Sequence, residues 1–244
     1  MILFKKYIKV VEKYWKPFLR LDLSNFFMDE KLVISETGTY IREKLSGEGS
    51  GHDWWHIFRV WTLAKSIQII EGGNLYVIEL SSLLHDIADW KFHDGDHSVG
   101  PNLAGEWLAS LNVSGDIVSY VCEIIRDVSF KGEGVKSNML TLEGKIVQDA
   151  DRLDAIGAIG IARTFAYGGH KGREIYNPNI KPEIHENFEQ YKIGECPTIN
   201  HFYEKLLLLK DRMNTETGKR FAEGRHKFME QFLDRFYKEF SGKS

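Results

Sequence analysis

Only two cysteines and five prolines occur in 244 residues. Two thiols in unrelated contexts, Cys122 and Cys196, supply neither a disulfide framework nor a zinc ribbon, and they suit a reducing cytoplasm. An excess of one charge is missing too. The 32 basic and 35 acidic residues leave a formal charge of −3, which offers no electrostatic footprint for nucleic acid. Long hydrophobic runs are also lacking. The N-terminal stretch MILFKKYIKVVEKYWKPF interrupts its apolar residues with lysines and Glu12, so it reads as neither a signal peptide nor a membrane span. No β-alternation, internal repeat or low-complexity stretch stands out. The composition is otherwise ordinary for a globular protein, 43% apolar and 27% charged, in a chain long enough for one large domain or two small ones.

Helical periodicity dominates. Ile8, Val11, Tyr14 and Trp15 form an apolar stripe that ends near Pro17. A second helix is expected from Trp54 to Ile70, stopped by Gly72-Gly73. Tyr76 to Asp89 reads as a nearly continuous apolar helix, followed by a loop in KFHDGDHSVGP. Further helices are expected over Ala104–Leu111, Ile117–Ser129, a long Met139–Phe165, Phe202–Asn214 and Thr217–Phe240. Pro178, Pro182 and Pro197 make His170 to Asn200 an irregular segment, a candidate to close over a ligand. The expected fold is an all-α single domain, a helical bundle with the site inside it. Residues 1–45 form an N-terminal helical extension, residues 46–168 the core with the site, and residues 169–244 the irregular segment and C-terminal helices packed on that core.

Three fragments carry chemistry: His56 in HDWWHIFRV, His85 and Asp86 in LLHDIAD, and Asp151 in QDADRLDAIG. Two imidazoles and two carboxylates can hold one divalent cation with positions left open for water and phosphate oxygens. Mixed N/O donors suit Mn²⁺, Fe²⁺, Co²⁺, Ni²⁺ or Zn²⁺, and Mg²⁺ less well. On a helix turning about 100° per residue, His85, Asp86 and Asp89 share one quadrant, as do His52, Asp53 and His56. Asp89 is then placed to exchange a proton with a nucleophilic water or a leaving oxygen. His52 reads equally as a substrate neighbour or as a capping group. Asp154 reads as an acceptor that orients a histidine or as a partner of Arg152. Trp54 and Trp55 suit core or pocket wall better than a stacking platform. Arg59, Lys171 and Arg173 are the candidate phosphate-binding cations, with Arg225 and Lys205 further off. His93, Asp94, Asp96 and His97 admit either a second metal or a simple turn at Asp94-Gly95.

These segments resemble the HD superfamily of metal-dependent phosphohydrolases over residues 52 to 160. HIFRVWTLA has the form of that family's first metal histidine, and Asp151 in ADRL matches its closing carboxylate. The narrower likeness is to the small bacterial YpgQ/YedJ-like branch. It rests on GHDWWH, LLHDIADWKF, DGD, QDADRLDAIGAIGIARTFAYGG and HFYEKLLLLKDRMNTETGK. The resemblance implies an all-α, metal-dependent enzyme holding one divalent ion, Mn²⁺ first, through His56, His85, Asp86 and Asp151. Two further histidines in helical ligand positions between Asp86 and Asp151, as a dinuclear site would need, are not found. For the YpgQ-like branch the implied reaction converts a nucleoside triphosphate to the monophosphate and pyrophosphate. Alternatives are a 5′-nucleotidase-type phosphomonoesterase, a dinuclear HD oxygenase and a non-catalytic nucleotide-binding regulator. The expected partner is a small-molecule nucleotide, without nucleic acid or membrane, and with room for a homodimer.

Overall fold

The structure, a computed structural model, describes residues 29–45, 53–88, 96, 98–128, 139–183 and 196–243. The stripe from Ile8 to Trp15, together with His52, Asp89, His93, Asp94 and His97, falls outside them. Among the described residues there are nine α-helices, one 3₁₀ segment and no strand, as the sequence predicts. In chain order these are α1 (Glu30–Lys44), α2 (Trp54–Glu71), α3 (Leu75–Leu84), α4 (Val99–Ser110), α5 (Gly115–Val128), α6 (Leu142–Asp154), α7 (Gly157–His170), α8 (Asn200–Glu204) and α9 (Glu216–Phe240). The 3₁₀ segment, Leu206–Arg212, lies between α8 and α9.

Local chemistry sets the helix starts. Asp53, Asn74, Thr141 and Thr215 each accept a backbone N–H of the first turn of α2, α3, α6 and α9, respectively. On α2, His56, Ile57, Val60, Ala64 and Ile67 recur at helical spacing and are buried, so His56 lies on the same stripe that packs the core. Ile41, Ile57, Leu80, Leu108, Ile124, Leu153, Phe202 and Met229 belong to one core that runs from α1 to α9.

Helix α6 lies at the centre, packed on α2, α3, α5, α7 and α9. Its Asp149 is fully buried and accepts four bonds of 2.8 Å, from the backbone and side chain of both Asn214 and Thr215. A Cβ on Gly218 would sit 2.3 Å from Asp149 Oδ2, so glycine alone allows this approach. The Arg152 guanidinium also donates to the Arg212 carbonyl. The MNTETGK segment therefore clasps α9 onto the helix that carries Asp151.

Four expected helices differ, among them Ala104–Leu111, which starts at Val99 inside the stretch read as a loop. The one predicted to reach Asp89 ends at Leu84, where His85 Nδ1 takes the Ser82 carbonyl at 2.8 Å, the acceptor that the Asp86 amide would use in a continuing helix. The long Met139–Phe165 helix is two helices, broken by extended Ile156 and by Gly157 at φ +75. Phe202–Asn214 is a short α-helix running into 3₁₀ turns.

Candidate metal centre

The start of α2, the turn after α3 and the end of α6 meet at four acceptor atoms. His56 Nε2 lies 3.3 Å from His85 Nε2, 3.4 Å from Asp86 Oδ2 and 3.5 Å from Asp151 Oδ1. His85 Nε2 lies 3.6 Å from Asp86 Oδ2 and 3.9 Å from Asp151 Oδ1. Donors sharing one ion with bonds of about 2.1 Å stand roughly 3 to 3.5 Å apart, so a slight contraction would bring this set onto a cation. The imidazoles are buried, whereas the Asp86 and Asp151 side chains are 17% and 32% exposed. The cluster therefore opens to solvent on its carboxylate side.

The proton pattern makes that cluster a cation site. His56 Nδ1 is 2.7 Å from Asp154 Oδ2, and His85 Nδ1 is 2.8 Å from the Ser82 carbonyl. A carboxylate and a carbonyl only accept, so both Nδ1 atoms donate and both neutral rings turn their Nε2 lone pairs inward. Four lone-pair donors facing one another repel unless a positive charge sits among them. Asp86, Asp151 and the two imidazoles could hold such an ion, and His56, His85 and Asp86 have their ligand atoms within 4.8 Å of one another.

Asp154 governs the next layer. Its carboxylate is 1% exposed and accepts from His56, from Arg59 Nε at 2.6 Å and Nη2 at 3.0 Å, and from Arg163 Nη1 at 2.6 Å. Burial alone would raise its pKa, but the bonds from His56 and Arg59 and the charge of Arg163 hold it well below the usual carboxylate range. Burial likewise opposes protonation of His56. The Asp154 and Asp86 carboxylates outweigh it, and the imidazole pKa is raised to about 9. A proton there answers the same electrostatic demand as a cation.

The sequence-predicted residues divide clearly. His56, His85, Asp86 and Asp151 come together, and Arg59 reaches them through Asp154. Asp53 is the α2 cap, at 2.9 Å from the His56 amide. Arg225 donates to the Leu153 carbonyl and packs on Gly157, which makes it part of the α6–α7 junction. Lys171 is the C-cap of α7 and Arg173 follows two residues later, both near the Tyr167 ring. Arg163, which sequence reasoning misses, lies 3.2 Å from His56 Nδ1.

The chain is similar to several known proteins. The HD domain family matches residues 54–156. YpgQ of Bacillus subtilis is 38% identical over 216 residues, covering 88% of this chain and 97% of YpgQ. An HD-superfamily hydrolase from Bacillus thuringiensis of known crystal structure is 44% identical, with a TM-score of 0.70 over 87% of this chain and 99% of that one. The chain belongs to the HD superfamily. It is accordingly a metal-dependent phosphohydrolase of helical-bundle fold. A crystal structure of B. subtilis YpgQ in complex with ADP is also similar, at 34% identity and a TM-score of 0.68 over 86% of this chain and all of that one. HD domains bind divalent metals, and His56, His85 and Asp86 form a group that could hold one here. No helix among the described residues is long and apolar enough to cross a membrane.

Proposed function

We propose that this HD phosphohydrolase acts on nucleotides and converts a nucleoside triphosphate to the monophosphate with release of pyrophosphate. The observation that carries the reading is the inward-facing set of four acceptors on His56, His85, Asp86 and Asp151, open to solvent beside two arginines. The ADP complex of YpgQ supports a nucleotide as the ligand class.

In this reading those four side chains hold one divalent ion, and Mn²⁺ is the first choice for mixed imidazole and carboxylate donors. When bound, such an ion makes water a usable nucleophile near neutral pH and offsets charge on a phosphoryl oxygen. His56 is kept in the Nδ1–H tautomer by Asp154, and His85 by the Ser82 carbonyl, so both rings enter the site as preset donors. Arg59 keeps N–H groups beyond those bound to Asp154 and supplies positive charge at the rim. Asp89, three residues past Asp86 in sequence, is assigned the proton transfer, and His52 a place beside the substrate. The two free thiols and the absence of a membrane-length helix among the described residues suit action in the cytoplasm.

Hydrolysis in ¹⁸O-labelled water with Mn²⁺ tests the reaction. Label in the nucleoside monophosphate, with unlabelled pyrophosphate, is expected and places attack at the α-phosphorus. Orthophosphate released from monophosphates alone would replace this reading with a 5′-nucleotidase.

A further inference from the structure

The three helices that bring the metal cluster together carry exposed aliphatic side chains at their opposite ends. Ile69 and Ile70 lie in the last turn of α2, Leu75 opens α3, and Leu140 and Leu142 stand at the start of α6. Roughly 14 to 21 Å of helix axis separates them from His56, His85 and Asp151. Ile69 is 80% exposed and Leu140 85%. Among the described residues, five of the nine exposed leucines and isoleucines gather at this one end. A single apolar side chain on a surface needs no explanation, whereas a gathering of large ones marks a contact. Backbone bonds hold the three helix ends together. The Asn74 amide donates to Glu143 Oε1 at 2.8 Å, and the Gln68 side-chain amide to the Gly73 carbonyl at 3.3 Å.

The described chain begins at this same end. Asp29 caps α1, its side chain accepting from the Lys31 amide. Helix α1 then runs antiparallel to α2. Burial and the charge of nearby Glu30 push up the pKa of Tyr76, in the first turn of α3, so the start of α1 lies beside the start of α3. Two turns on, a Cβ on Gly38 would meet Trp54 Cη2 at 3.9 Å, at the start of α2. Val33, Ile34 and Ile41 fix α1 in the core. The chain preceding Asp29 therefore joins the fold beside Leu75, at the end opposite the cluster.

The sequence before Asp29 has a pattern that fits this surface. Phe4, Ile8, Val11 and Trp15 recur at spacings of four, three and four, within about 60° on a helical wheel. Lys5, Lys6, Lys9, Lys13 and Lys16 fall on the other side. Trp15 precedes Asp29 by fourteen residues, which can span up to about 46 to 50 Å and so reach the aliphatic end with ease. The family match starts only at residue 54, and the similar proteins are matched almost to full length while part of this chain is left over.

We infer that the segment before Asp29 folds back as an amphipathic helix and docks its Phe4–Ile8–Val11–Trp15 stripe on Ile69, Ile70, Leu75, Leu140 and Leu142 of the same chain. The lysine face stays in water. Docked there, the segment braces the far ends of α2, α3 and α6 and adds stability without touching the metal cluster.

A double-mutant cycle in the full chain tests the contact. Ile8→Asp/Val11→Asp and Ile69→Asp/Leu140→Asp should each lower Tm by about 3 to 6 °C, and the fourfold variant should lose no more than the larger of the two. Exposed positions without a contact would leave Tm nearly unchanged. Circular dichroism verifies that the variants stay folded, and Mn²⁺ affinity should change less than about twofold in all three. Lys145 lies in the first turn of α6, and Lys219 in the first turn of α9, where the Thr217 amide bonds Glu71 at the end of α2 at 2.7 Å. An amine-reactive cross-linker should therefore join Lys9 or Lys13 to Lys145 or Lys219 within one chain, judged from mixed isotopically heavy and light protein. Losses that add in the fourfold variant overturn the docking, as does either double variant melting like wild type. Links formed only between heavy and light chains overturn it equally and give the stripe to a second copy.

Discussion

Arg163 Nη1 lies 2.6 Å from Asp154 Oδ2, although the two residues are nine positions apart in sequence. In one straight helix that spacing would point them to opposite sides. The break between α6 and α7 folds the chain back and makes Asp154 a buried hub for His56, Arg59 and Arg163. Asp154→Asn removes the charge while keeping an acceptor. It should weaken metal binding by about 10- to 100-fold, the usual effect of losing the partner of a ligand histidine. The metal-free protein should lose about 2 kcal/mol, below the value for a fully buried pair because both arginines are partly exposed. Metal titration and denaturant unfolding measure the two effects. Unchanged metal affinity would show that the histidine needs no orienting carboxylate.

Purified protein should carry about one divalent ion per chain, and Asp151→Ala should sharply reduce both occupancy and activity. Asp151 supplies one of the two partly exposed carboxylates of the cluster, and its removal leaves only Asp86 to balance the ion's charge. Elemental analysis after gel filtration decides this. Full occupancy in Asp151→Ala would remove it from the ligand set.

Metal-free stability and metal binding should respond to pH with opposite signs. His56 has a folded pKa of about 9 against an ordinary value of 6.5. A raised histidine pKa contributes stability that is complete below the unfolded value and is lost as pH rises through the folded one. Metal-free stability should therefore fall from about pH 6.5 toward 9, by at most about 1.4 kcal/mol per pH unit. Metal must displace that proton, so its affinity should rise over the same window by up to about tenfold per unit. Asp154 has the opposite sense, contributing stability above the ordinary carboxylate value and losing it only in acid. Thermal melts with and without Mn²⁺ at several pH values read both slopes. A metal-free protein that gains stability between pH 6.5 and 9 would contradict the His56 assignment.

Asp89→Asn should keep the metal and the fold but lower kcat by about 10²- to 10⁴-fold, the range for a lost acid–base group. Metal loss would place Asp89 among the ligands instead, and an unchanged kcat would exclude it from proton transfer.

Much of the fold and the cluster is legible in the chain, and the gaps have physical causes. His56 can be read because it lies on the buried stripe of an amphipathic helix, where an unpaired imidazole is costly. Asp151 is legible from its ADRL context, on a helix whose Ile146, Val147 and Leu153 pack the core. His85 and Asp86 are legible as residues, but periodicity places them on a helix that stops at Leu84. The wheel relating them to Asp89 does not describe their geometry, because a side chain takes the carbonyl that would have continued the helix. Sequence alone leaves Asp154 between two partners, and the structure gives it to His56 rather than to Arg152. Arg163 escapes a sequence reading because periodicity runs unbroken through DAIGAIG. Gly157 after an apolar run is the available signal, and reading it as a left-handed residue splits the helix.

That glycine supports the most direct test of the architecture. Gly157 has φ +75, where an L-residue costs about 1 to 2 kcal/mol, and a Cβ there would lie 3.0 Å from both Cβ and Cγ of Arg225. Arg225 cannot yield easily, because its guanidinium donates to the Leu153 carbonyl at the end of α6. Gly157→Ala should therefore destabilise the protein by about 2 kcal/mol, seen as a Tm lowered by roughly 4 to 8 °C for a chain of this size. The site should suffer as well. Arg163 reaches Asp154 only across this junction, so the variant should bind metal more weakly while its four ligand side chains remain intact. Gly169→Ala, a helical glycine whose added Cβ would meet nothing within 4 Å, is the matched control and should leave Tm and metal affinity nearly unchanged. If Gly157→Ala lowers Tm but binds metal as tightly as wild type, the Arg163–Asp154 bridge is structural and has no part in holding the ion.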